Sequence, residues 1–140
     1  MPTWTADVPG VVVLPGGTAV RGHGRRHGAP TGPAADITVH LLTRRPEGSR
    51  TSDLWVDWPD FRAPRSTQDA VQTLRDVLER SATERVLLQC HGGVGRTGTA
   101  IAALALLDGL DEDPVRWVRS AYHPRAVETV FQRRWLRKVR

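Results

Sequence analysis

The stretch from Val86 to Leu107 constrains the fold most. Val86-Leu87-Leu88 is a short apolar run with the length of a strand buried on both faces. A turn containing Gly92, Gly93 and Gly95 follows, and then Ala100 to Leu107 runs without a polar residue. A helix that is apolar on every side must be buried. A buried strand feeding through a tight turn into a buried helix implies stacked layers of sheet and helix, an α/β fold. The run is far shorter than the roughly 20 residues of a membrane span.

The rest of the chain supplies the other layers. Val11 to Leu14 and Thr18 to Arg21 read as short strands paired across Pro15-Gly16-Gly17. Gly22 to Gly28, followed by a Pro/Gly stretch to Pro33, reads as a loop. Ile37 to Leu42 and Asp53 to Asp57 read as extended. Ala70, Val71, Leu74, Val77 and Leu78 fall at helical spacing and predict a helix from Thr67 to Ala82, with Ser66 as N-cap. The helix after the glycine turn is expected from about Thr97 to Leu107. Pro114 opens another, with Val115, Val118 and Tyr122 on one face. A last helix is expected from Ala126 to Val139, with Val127, Val130, Phe131 and Trp135 inward. The 140 residues fit one domain, 1–140, with a central mixed sheet flanked by helices.

Cys90 is the only cysteine, which excludes an internal disulfide and a cysteine-cluster metal site. No signal peptide is expected from MPTWTADVPG, and a lone thiol stays reduced in the cytoplasm, the compartment this suggests. Twenty basic residues against fifteen acidic give a net charge of +5, and all the basic residues but Lys138 are arginine. A positive field attracts anions. The basic residues are scattered, however, and not interleaved with aromatics, which argues against nucleic acid as partner.

The glycine turn carries the chemistry. Backbone N–H groups of a strand-to-helix loop point inward, and the helix N-terminus adds positive potential. Cys90 at the start of such a cradle lies in a field that favours thiolate over thiol. His91, Gly92, Gly93, Val94 and Gly95 would line the cradle. Six residues after Cys90, Arg96 offers a planar fork matched to two phosphate oxygens. Two other readings compete. Gly93 to Gly98 matches G-x-G-x-x-G, but a dinucleotide site also needs an acid ending a second strand, and Asp111 to Asp113 open a helix instead. A Walker A loop needs a lysine, and the turn has none. A buried, inert cysteine beside a turn would not require Arg96 and Thr97 in register.

Cys90-His91-Gly92-Gly93-Val94-Gly95-Arg96-Thr97 fits C-x-x-G-x-x-R-[ST] and so resembles the signature of cysteine-dependent protein-tyrosine and dual-specificity phosphatases. Trp58-Pro59-Asp60-Phe61 resembles that family's W-P-D loop. Glu128-Thr129-Val130-Phe131-Gln132 resembles its Q-T-x-x-Q segment, with Glu128 for the first glutamine. The resemblance covers about Asp53 to Leu136; residues 1–50 add nothing to it. It implies a tyrosine-phosphatase-like fold of a small bacterial type, a phosphorylated protein as substrate, and no metal or other cofactor. It implies Cys90 as nucleophile, Arg96 as the phosphate-binding guanidinium and Asp60 as general acid, with Asp57 as a rival. Thr97 would donate to the cysteine sulfur, and Gln132 would position the hydrolytic water. Gln89 departs from the histidine that usually precedes the nucleophile. Position argues against the low-molecular-weight subgroup, which carries its signature near the N-terminus, and a loop without lysine argues against lipid-phosphate members. The alternative reading is a catalytically weak module on the same fold that binds phosphoprotein or RNA without turnover.

Overall fold

The computed structural model describes residues 3–140; Met1 and Pro2, which open the N-terminal stretch read above, lie outside the described residues. The elements are β1 (Val11–Val13), β2 (Ala19–Gly24), a 3-10 turn (Arg25–His27), β3 (Ile37–Leu42), β4 (Leu54–Asp57), α1 (Thr67–Arg80), β5 (Val86–Cys90), α2 (Gly95–Leu107), α3 (Pro114–Ala121) and α4 (Val130–Leu136). They form the mixed α/β architecture expected. One five-stranded sheet has the order β1-β2-β5-β3-β4, and only β1 is antiparallel to its neighbour.

Strand alternation divides the core. Val86, Leu88 and Cys90 of β5, with Val39 and Leu41 of β3, face the main cluster, which contains the buried residues of the helices. Leu87 points to the opposite face, where Trp4 and Ala19 cover it. Helix α2 is buried from Gly95 through Leu106, as its uniformly apolar sequence requires. It lies against β5 and β2, with α1, α3 and α4 packed on it. The expected caps are present. The Ser66 hydroxyl accepts from Asp69 N at 3.1 Å, and Asp113 accepts from Val115 N at 3.0 Å ahead of Pro114.

Three expectations are corrected. The first is that Gly22 to Gly24 form a loop. They continue β2, because the strand pairs in parallel with β5 as far as Gly24 opposite Cys90. The glycines suit this place: a Cβ on Gly24 would stand 2.5 Å from the Gly92 carbonyl oxygen. The second is a helix from Ala126 to Val139. Only Val130–Leu136 is helical. Val127 has φ +65°, which a helix does not permit, and Arg119 caps the freed Ala126 and Val127 carbonyls, each at 2.9 Å. The third is the inward placement of Val130 and Phe131, which are about half exposed, while Val127 and Trp135 are buried as expected. The remaining shifts are at element ends: α2 begins two residues earlier than expected, and α1 stops at Arg80.

Because β2, β5, β3 and β4 are parallel, their carboxyl ends share one edge of the sheet. Gly24, Cys90, Leu42 and Asp57 end there. In an open parallel sheet this edge is where ligands bind.

Candidate active site

Cys90 ends β5 and is 2% exposed. Two donors point at its sulfur. The Thr97 hydroxyl lies 3.0 Å from Sγ and Gly93 N lies 3.2 Å from it. Both stabilise negative charge on that atom. Gly93 can turn its N–H inward because its φ is +75°, and because it packs directly on the Gly24 backbone where a side chain would not fit. Gly92 and Val94 are partly exposed on the loop, and Gly95 begins α2. His91 is exposed, and its carbonyl accepts from Arg26 N at 3.0 Å, so the turn after β2 anchors the cradle's outer side.

Arg96 is nearly buried in the first turn of α2. Its Nη1 donates to the Trp58 carbonyl at 3.0 Å, and its Nε stands 3.4 Å from Asp60 Oδ1. This guanidinium therefore holds the segment carrying Asp60 across the mouth of the cradle. Trp58 is fully buried, edge-on to Trp135 at 5.2 Å, and its indole N–H donates to the Arg62 carbonyl. Asp60 stays 54% exposed, within reach of a ligand and of water. The rival Asp57 is drawn elsewhere, to Arg65 Nε at 3.1 Å.

Gln132 is fully buried. Its Oε1 accepts from Glu128 N at 2.9 Å, which leaves its amide nitrogen without a partner among the described residues. The Glu128 carboxylate lies against Gly95, so this segment abuts the cradle. Cys90, Arg96, Thr97 and Asp60 thus meet at one edge of the sheet, and the segment that carries Gln132 adjoins them through Glu128.

Several contributors escaped the sequence reading. The Thr129 hydroxyl donates to the Phe61 carbonyl at 2.7 Å and accepts from Gln132 N at 3.3 Å, joining the Asp60 segment to α4. Its place inside the Q-T-x-x-Q resemblance was the available signal. The Tyr122 hydroxyl donates to the Gly93 carbonyl. Burial, and then the charge at Cys90, push this hydroxyl well above its ordinary pKa, so it remains a donor. Gln89, before Cys90, has His23 and His40 as its partners in register on the flanking strands. Burial pushes His40 below its usual pKa, and the hydrogen bond and charge of Asp53 oppose that shift. For Asp53, burial alone would raise the pKa. The Thr38 N–H, the His40 ring, the Arg50 N–H and the Arg50 charge outweigh it and hold the carboxyl low.

Comparison with known proteins agrees with this geometry. The protein-tyrosine phosphatase family model matches residues 37–136, and the chain belongs to that family. The match starts upstream of Asp53 and takes in β3, beyond the span read from the sequence. The uncharacterized protein MJECL20 of Methanocaldococcus jannaschii is 45% identical over 81 residues, covering 56% of this chain and 53% of its own. Receptor-type tyrosine-protein phosphatase V of Rattus norvegicus is 29% identical over 124 residues, 69% of this chain and 7% of its own. The chain thus spans about half the length of the archaeal relatives and less than a tenth of the first receptor-type one. Among solved structures, Tk-PTP in its active form is 30% identical with a TM-score of 0.61, covering 75% of this chain and 78% of that one. Kinase associated phosphatase is 13% identical with a TM-score of 0.67 over 96% and 95%, a likeness of fold alone.

Proposed function

We propose that the protein is a phosphomonoester hydrolase that acts on phosphotyrosine in proteins through a cysteinyl-phosphate intermediate. The observation that carries this reading is the pair of donors, Thr97 and Gly93, aimed at the sulfur of a buried Cys90. An inert core thiol needs neither.

In the first step Cys90 Sγ attacks phosphorus, and the bond from phosphorus to the ester oxygen breaks. Asp60 gives its proton to that leaving oxygen. Arg96 and the N–H groups from His91 to Gly95 take the charge that gathers on the other phosphoryl oxygens. In the second step a water positioned by the Gln132 amide attacks phosphorus, and the Asp60 carboxylate takes its proton. The P–S bond breaks and Cys90 returns as thiolate. No step passes through a metal. That β1 and β2 share one sheet with β5 supports reading the chain as a single catalytic domain. A lone reactive thiol favours the reducing cytoplasm.

The burial of Cys90, which is 2% exposed, supports phosphotyrosine over phosphoserine, because a longer ester reaches a buried sulfur more readily than a short one. The test is turnover of 4-nitrophenyl phosphate in EDTA, followed by phosphotyrosine and phosphoserine versions of one peptide. Turnover should persist in EDTA, favour phosphotyrosine and vanish in Cys90→Ser. Wild-type-like activity in that variant would overturn the mechanism, and loss in EDTA would indicate a metal hydrolase.

A further inference from the structure

Beside the Asp60 segment lies a cleft of about 570 Å³ with a pronounced charge bias. The segment after Asp60 contributes Arg62 and Arg65 to one wall. The other wall is the face of α4 and the following turn that carries Phe131, Arg134, Trp135 and Lys138. These last four have the i, i+3, i+4, i+7 spacing of one helical face. No carboxylate lines the cleft. Arg65 is engaged by Asp57, but Arg62, Arg134 and Lys138 form no ion pair among the described residues.

We infer that this cleft receives acidic side chains flanking the phosphorylated residue of a protein substrate, so that Arg62, Arg134 and Lys138 set sequence preference. The inference rests on the phosphoprotein reading above. Cations near a helix C-terminus complement its dipole, which accounts for Arg134 and Lys138. It does not account for Arg62 on another segment, facing them without a counter-charge.

The position fits a substrate bound at Cys90. The cleft touches Pro59, adjacent to Asp60, and Phe131, adjacent to Gln132. An extended peptide advances about 3.3 Å per residue, so side chains a few positions from the phosphoresidue sweep the surface around the Asp60 segment, which the cleft adjoins. The two aromatic rings in the wall argue against RNA as occupant, Trp135 because it is only 2% exposed. Arg62 stacks on Phe131 at 4.9 Å, so that ring is not free to receive a base.

The experiment measures binding of fluorescent phosphotyrosine peptides, with acidic or with neutral flanking residues, to Cys90→Ser protein. The same measurement is made on Cys90→Ser protein that also carries Arg134→Glu and Lys138→Glu. The acidic peptide should bind about tenfold tighter at low salt, as expected for a few exposed charge pairs. The advantage should shrink as salt is raised. The double reversal should remove it while leaving the neutral peptide's affinity unchanged. With Cys90 intact, the double reversal should turn over 4-nitrophenyl phosphate like wild type, which shows that the variant folds. No acidic preference, or a preference that survives the reversal, overturns the inference. So does displacement of the peptide by an oligoribonucleotide that also loses its affinity on reversal, since the cleft would then serve nucleic acid. If 4-nitrophenyl phosphate is not hydrolysed by wild type, the hydrolase reading fails. The binding comparison still decides the cleft.

Discussion

Thr129→Val removes one hydroxyl that does two jobs. The side chain caps α4 through Gln132 N and ties α4 to the Asp60 segment through the Phe61 carbonyl. The two losses separate. An N-cap is worth about 1 kcal/mol. Unfolding entropy of about 2.1 cal/mol/K per residue, over 140 residues, makes that about 3 °C of melting temperature. The tie to Phe61 is a neutral hydrogen bond worth about 0.5–1.5 kcal/mol. Phe61 is 56% exposed, so water replaces the lost donor and the cost lies in the lower half of that range. That makes release of the Asp60 segment about two- to fivefold easier. The assay is kcat on phenyl phosphate, whose leaving oxygen needs the Asp60 proton, against kcat on 4-nitrophenyl phosphate, which needs it less. The first should fall about two- to fivefold and the second less. Thr129→Ser, which keeps the hydroxyl, should restore both the rate and the leaving-group dependence. Equal losses on the two substrates would show that the hydroxyl supports the fold without positioning the acid. So would a serine variant as impaired as the valine.

Asp60→Asn should lower turnover of phenyl phosphate by about 10²–10⁴-fold and flatten the alkaline side of its pH–rate profile, whereas Asp57→Asn should leave both near wild type; the reverse ranking would mean that the acid is misassigned. Tyr122→Phe should cost about 0.5–1.5 kcal/mol of stability in urea melts and weaken vanadate inhibition, because the Gly93 carbonyl loses its donor; unchanged inhibition would show that the cradle holds its shape without it. Burial lowers the His40 pKa beneath its ordinary value of about 6.5, so as pH falls through that value the unfolded chain takes up a proton the fold resists. Stability is therefore greatest above that pH and falls below it, and the melting temperature should drop from pH 7 to 5.5 more steeply in wild type than in His40→Gln; equal slopes would exclude His40 as the source.

The grouping of Cys90 with Arg96 and the helix behind them was legible because their constraints are local. Cys90, Gly93, Arg96 and Thr97 lie within one strand-turn-helix, where spacing alone brings donors and acceptor together. The α2 boundaries erred by only two residues because an all-apolar helix has one possible environment. What could not be read depends on partners far along the chain. Gly22 to Gly24 have poor strand propensity and form a strand only because β5 supplies the ladder. The apolar spacing from Ala126 onward is helical, but Arg119 stabilises a non-helical entry that leaves Val127 at positive φ, and nothing near Val127 signals it. Asp60 and Asp57 are both acids beside Trp58. The W-P-D resemblance favours Asp60, and the Arg96–Asp60 and Arg65–Asp57 contacts, which no local pattern encodes, separate the two in space.

The family match begins at residue 37, yet the cradle depends on residues before it. Gly24 closes β2 directly under Gly93, and a Cβ on either glycine would meet the other segment's backbone at 2.5 Å. Arg26 N holds the carbonyl of His91. The glycines that bend the anion loop could not keep their geometry without β2 beside them, and β2 is held on its outer side by β1 through Val12 opposite Val20. The turn after Cys90 is thus shaped by two segments far apart in sequence. One carries the recognisable signature. The other carries only Gly22, Gly24 and a parallel register, features that a motif does not encode and that a sheet edge makes indispensable.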